Sequence, residues 1–209
     1  MEKVLDRLIE FAAAVARVSA WIGGALLTVS AIIIGIDILL RNTIAVTIGG
    51  ANELSGYALA IATPWAMILA MLSRAHVRID TIYIHLPSRA RAALDIVGQA
   101  ATIAFFGLVA WYAEGVVEQS LISDSHSVSA LAVPLAVPQG LWFAGFVAFL
   151  ITATILLLRA LISFAKGDLN HVHGLIGARS TEEELLTEQQ SLAMLKSQET
   201  DRKGAAPWH

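Results

Sequence analysis

Apolar positions along this chain gather into four long runs, with charged residues confined to the segments between them. Uncharged stretches extend from Val18 to Ile36, Leu54 to Ser73, Ile96 to Ala113 and Gln139 to Leu158. Each holds about 18–20 residues, the length an α-helix needs to cross roughly 30 Å of hydrocarbon. Lipid offers no water to satisfy backbone N–H and C=O groups, so runs of this kind must be helical there. The pattern predicts an all-α integral membrane protein with four transmembrane helices, at about 18–40, 53–73, 92–113 and 138–159.

The flanking segments differ in character. Residues 2–16 place Val4, Leu5, Leu8, Ile9, Phe11, Ala12 and Val15 at helical spacing among charges. The segment 1–17 therefore reads as an amphipathic N-terminal helix at the cytoplasmic interface, or as an extension of the first span. Its mixed charges and the long run that follows argue for a retained span over a cleaved signal peptide. Pro64, near the middle of the second span, removes one backbone hydrogen bond and predicts a kink near residues 60–64. Pro134 and Pro138 predict an extended or re-entrant entry into the fourth span, with Pro138 near its first turn. Beyond Lys166 the chain turns polar. Residues 166–209 read as a cytoplasmic tail in which Thr181-Glu182-Glu183-Glu184 opens a short helix reaching about Gln198.

Charge adds a direction. Lys3, Arg7 and Arg17 precede the first span; Arg74, Arg78, Arg89 and Arg91 lie between the second and third; Arg159 and Lys166 follow the fourth. The opposite side holds Arg41, while Glu114, Glu118 and Asp124 follow the third span without a lysine or arginine. The positive-inside rule thus predicts an N-in/C-in topology, both termini cytoplasmic. The net charge of −3 is small, which speaks against nucleic acid as a partner. Cysteine is absent, so disulfides, thiolate metal sites and thiol nucleophiles are excluded together.

Little in the chain suggests catalysis. His76, His85, His126, His171 and His173 all fall outside the apolar runs, whereas axial haem ligands need facing helical positions within a bundle. There is no nucleophile elbow, P-loop or zinc-protease motif, and Asp95 and Glu114 bracket the third span from opposite ends. A transport pathway of the chain's own would need polar groups at mid-membrane, but the span centres are apolar. No catalytic residue, cofactor or metal ligand is assigned, and the chain is not read as an enzyme.

The ionisable groups at the membrane boundaries remain. Asp37 and Arg41 stand four apart and share a helix face. Glu53 opens the second span, where it could join Arg41 across the short loop. Arg74, His76, Arg78 and Asp80 form a girdle at the other boundary, suited to phospholipid headgroups or to a neighbouring subunit. These seven are the candidate partner-interface residues. Gly23, Gly24, Ala25, Ala58, Ala60, Ala62 and Gly107 add small-residue surfaces on which helices can approach closely.

The sequence Asp37-x-x-x-Arg41, Glu53-Leu54 opening a span, Ala75-His76-Val77-Arg78-Ile79-Asp80 and then Leu86-Pro87 resembles the small membrane subunit (DctQ-like) of tripartite ATP-independent periplasmic (TRAP) transporters. The resemblance covers about residues 15–165 and leaves the tail outside. It implies a bacterial inner-membrane companion of a large membrane subunit that carries the substrate and sodium sites. Such systems take up organic-acid-type solutes delivered by a periplasmic solute-binding protein. The small subunit would then be a non-catalytic scaffold. The alternative is an independent four-helix regulatory or lipid-interacting membrane protein.

Overall fold

Helices form wherever the apolar runs lie, and they extend well past them. The computed structural model describes residues 2–75, 83, 86–129, 131–177, 189 and 192–195. The chain divides into two units, Met1–Gly177 and Ala178–His209. The first contains α1 (Glu2–Ile44), α2 (Ala51–Leu72), α3 (Ser88–Ile122), α4 (Ala136–Ala165) and α5 (Leu169–Ile176). In the second, residues 189 and 192–195 are helical, and the expected capping box at residues 181–184 lies outside the described residues. Among the described residues there is no named strand, only an isolated bridge between His126 and Pro134.

Four helices, α1 to α4, are long and apolar enough to cross a membrane. Consecutive members run in opposite directions. One end of the unit, here the loop end, carries residues 45–50 and 123–135; the other, here the base, carries the start of α1, the end of α2 and α5. α1 is one uninterrupted helix of 43 residues, about 64 Å long, so residues 2–17 continue into the first span without a break. The charges at Lys3, Arg7 and Arg17 do not end it, because the apolar spacing of Val4, Leu5, Leu8 and Ile9 carries on the same face.

α2 and α4 form the middle of the unit. α1 packs chiefly along α2, α2 along α4, and α3 along α4. The core they share is built from Ala16 of α1, Ile68 and Met71 of α2, Ala92 of α3, and Phe149, Ala153 and Leu156 of α4. Phe106 stacks on Phe146 at 6.0 Å and meets Phe149 edge-on at 5.0 Å, fixing α3 against α4. Gln99 is buried yet satisfied, donating to the Ala153 carbonyl at 3.1 Å. α2 runs helically through Pro64, whose ring is buried against α4. There Gly145 is required: a Cβ on it would lie 2.8 Å from Pro64 Cγ and 2.9 Å from Trp65. Trp65 completes the junction by donating to the Leu141 carbonyl at 3.1 Å.

α5 turns back after Gly167 and Asp168. The Asp168 carboxylate caps it by accepting from the His171 N–H at 3.1 Å, and Val172 and Ile176 bury themselves in the shared core. The loop-end connection is equally tight. Pro134 is extended in its bridge with His126, the Ser127 N–H donates to Val133 and the Leu135 N–H to Ser125, and Pro138 falls in the first turn of α4.

Candidate assembly site at the two ends of the bundle

At the loop end Asp37 is the hub. It is buried near the end of α1, where one carboxylate oxygen accepts from Arg41 Nη2 at 2.5 Å. The other accepts from the Thr47 hydroxyl at 2.8 Å and from the Ile48 N–H at 2.7 Å. The helical i, i+4 spacing supplies the first contact; the second and third exist because the chain reverses at once after Ile44, with Ala45 at φ +54°. One carboxylate therefore closes the α1–α2 turn. Arg41 keeps 60% of its side chain exposed, so most of its guanidinium faces outward from the unit.

Glu53 takes a different partner from the one its position suggested. Instead of reaching Arg41, it accepts the Tyr57 hydroxyl one turn along α2 and faces the hydroxyls of Ser127 and Ser129. Gly50, just before α2, lets the α3–α4 loop come this close. Its φ is +94°, and a Cβ there would lie 2.5 Å from Leu131. Asp37 and Glu53 thus each secure one of the two loop-end connections.

At the base, the Arg74 guanidinium donates to the His173 carbonyl at 3.1 Å, tying the end of α2 to α5. His76, Arg78 and Asp80, the rest of the expected girdle, lie outside the described residues. Asp95, fully buried in α3, accepts from the Tyr83 hydroxyl at 2.8 Å and lies 3.1 Å from His173 Nδ1. The Arg91 guanidinium sits over the Tyr83 ring at 5.9 Å. A second knot joins α1 to α4. Arg159 bonds Asp6 at 2.8 Å, Glu2 at 3.3 Å and Ser163 at 3.3 Å, and Lys166 pairs with Glu2 at 2.7 Å.

Sequence reasoning did not single out Asp95, Tyr83, His173, Arg159, Glu2 or Asp6 as interacting groups. The available signal was a charged residue next to an otherwise uncharged run: Asp95 just before Ile96, Arg159 just after Leu158. Such positions need partners when a bundle closes. The small-residue surfaces divide as well. Gly23, Ala58 and Ala62 are used within the unit, a Cβ on Gly23 falling 3.1 Å from that of Ala62, whereas Gly24 and Gly107 face open space.

The arrangement joins helices to one another and leaves broad apolar faces on α1 and α3, among them Trp21, Ile32, Phe105 and Trp111. A family model described as Tripartite ATP-independent periplasmic transporters, DctQ component, matches residues 30–163. The match includes Asp37, Arg41, Glu53, Arg74 and Asp95 and stops short of Glu2, Asp6 and α5. No curated protein and no solved structure matches the chain.

Proposed function

The chain belongs to the DctQ component family of the tripartite ATP-independent periplasmic transporters, and on that premise we propose that it serves its transporter as a non-catalytic scaffold. It is the small membrane subunit of such a transporter and a multi-pass inner-membrane protein. In the proposed role it braces the large membrane subunit, which carries the solute and sodium sites, while a periplasmic solute-binding protein delivers organic-acid-type solutes to the assembly. Both termini and α5 are cytoplasmic in this reading, and the loop end faces the periplasm.

One observation carries the proposal. The described family-motif carboxylates Asp37 and Glu53 are engaged by groups of the chain itself, Arg74 reaches α5, and the buried Asp95, Gln99 and Arg159 are likewise held by partners within the chain. Groups engaged in this way tie the helices to one another, and among the described residues none of them stands free in the bundle to bind a solute. The exposed apolar faces of α1 and α3 have the composition of helix surfaces that meet lipid or a neighbouring membrane subunit.

Two measurements test this. Tagged chain isolated from its native membrane in mild detergent should bring down a large polytopic subunit in constant ratio; isolation without one supports an independent membrane protein instead. Because cysteine is absent, single cysteines report topology directly. A membrane-impermeant thiol reagent should label Val128→Cys in intact spheroplasts and Leu195→Cys only after permeabilisation. The reverse pattern overturns the orientation.

A further inference from the structure

The base half of α1 carries an exposed stripe whose charged residues the assembly reading does not use. Lys3, Arg7, Glu10, Arg17, Trp21 and Gly24 succeed one another at intervals of three, four or seven residues, so they share one face, and all are exposed. Three are cationic and one is acidic. Arg17 makes no hydrogen bond or ion pair with any other described residue. It stands at the mouth of a groove of about 610 Å³ between α1 and Leu69 of α2. Ala20, Gly24, Ala25 and Thr28 line the groove on the α1 side, and Trp21 stands beside them. The Thr28 hydroxyl is already turned back to the Gly24 carbonyl at 2.8 Å, so the lining beyond Arg17 is effectively apolar.

Gly23 lies against Ala62 and the two helices run antiparallel, so Arg17 stands near the level of Leu69, about 4–5 Å before the end of α2 at Leu72. Arg17, level with Leu69, is therefore just inside the apolar zone, not among the charges at the base. An unpaired arginine at that depth costs free energy unless an anion reaches it. A helix laid in the groove would have to bring its own carboxylate into hydrocarbon, whereas the long Arg17 side chain can reach outward to the phosphate of a glycerophospholipid at the nearby boundary.

We propose that this groove is a binding site for an anionic glycerophospholipid. Its phosphate pairs with the Arg17 guanidinium, and one acyl chain lies along Ala20, Gly24, Ala25 and Thr28 beside the Trp21 ring. The ligand's polarity, anionic at one end and apolar beyond, matches that of the groove, and Lys3 and Arg7, ten or more residues away along α1, are too distant to share the phosphate.

The test uses the full chain in nanodiscs of phosphatidylcholine containing a minority of brominated lipid, either phosphatidylglycerol or phosphatidylcholine. Bromine quenches tryptophan on contact, and subtracting the Trp21→Phe variant isolates the signal of Trp21. The brominated anionic lipid should quench Trp21 at about fivefold lower mole fraction than the brominated zwitterionic one, the preference expected of one basic side chain near an anionic headgroup. Arg17→Gln should abolish the preference while leaving quenching by the zwitterionic lipid in place. Gly24→Leu, which meets no neighbour within 4 Å, should fill the groove and lower quenching by both. Equal quenching by the two lipids in the unaltered chain, or a preference that survives Arg17→Gln, overturns the proposal. So does Trp21 becoming shielded from both lipids once the large subunit is added, since the groove would then seat a protein. Both leaflets of the disc have the same composition, so the result does not depend on orientation, which the cysteine labelling reads separately.

Discussion

At Asp37 a single carboxylate receives three donors, and two of them come from a turn that has no other anchor in α1. Replacing it with alanine leaves the Thr47 hydroxyl, the Ile48 N–H and one arm of Arg41 without an acceptor. Thr47 and Ile48 are exposed, so water can replace part of what the carboxylate gave them, and what is lost is the tie that holds the turn to α1. Asp37→Ala should therefore loosen residues 45–50 in particular, seen as faster limited proteolysis between α1 and α2 and a lower melting temperature of the purified chain. Asp37→Asn keeps an acceptor oxygen and should fall between alanine and the unaltered chain. Equal protease resistance in all three would mean that the turn is held by something else. The i, i+4 pair with Arg41 was legible in the sequence, since helical spacing alone brings those side chains together. The bonds to Thr47 and Ile48 were not, because they depend on where α1 stops and how sharply the chain reverses. Glu53 shows the same limit: its contacts at Ser127 and Ser129 come from a loop over 70 residues away.

Among the elements, the four crossings were readable because lipid imposes both the length and the helical form of each apolar run. Their boundaries were less so. α1 begins at Glu2 and α3 at Ser88, before the uncharged runs, since charges end an apolar stretch without ending a helix. The helical spacing of residues 2–16 and Pro87 just before Ser88 mark both starts in the sequence, whereas the far ends of α3 and α4 at Ile122 and Ala165 are not so marked. α5 is only eight residues long, so although Leu169, Val172, Leu175 and Ile176 recur at helical spacing, its seat at the base is what reveals it as an element. That seat depends on Asp95, which takes the Tyr83 hydroxyl and lies beside His173 Nδ1. Asp95→Ala should cost about 1–3 kcal/mol, the range for stripping an acceptor from buried donors. Hydrogen exchange should then rise in α5 before it rises in α4; a uniform rise would show that α5 has no separate dependence on Asp95. The α2–α4 junction admits a complementary test. Gly145→Leu would press on Pro64 and Trp65, and overpacking of this kind costs about 1–3 kcal/mol. Melting of the purified chain should fall accordingly, whereas Gly140→Leu, with no neighbour within 4 Å, should leave it near the original value.

For the whole molecule, the question is which surface remains once the internal contacts are subtracted. The middle helices α2 and α4 use their faces on each other and on their flanks, as Ala58, Ala62 and Gly145 show. α1 and α3 lie on opposite sides of that pair and keep most of their apolar surface outward. On α3 the outward face presents the broad rings of Phe105, Trp111 and Tyr112, and Gly107 lies at its half-buried flank as a close-approach point suited to a neighbouring membrane helix. Arg41 offers a second contact at the loop end, since its guanidinium is only partly engaged by Asp37. A Cβ on Gly107 meets nothing within 4 Å, so Gly107→Leu should act chiefly on what lies outside the chain. It should leave melting of the isolated chain unchanged but lower recovery of the large subunit roughly tenfold, as a leucine driven into a packed contact would. Arg41→Ala should weaken recovery more mildly, in keeping with its exposure. In both variants the uptake that remains should keep the solute preference of the unaltered transporter, because a scaffold touches its partner and not the cargo. A changed preference, measured by competition among solutes in cells carrying either variant, would place this chain at the solute site and end the scaffold reading.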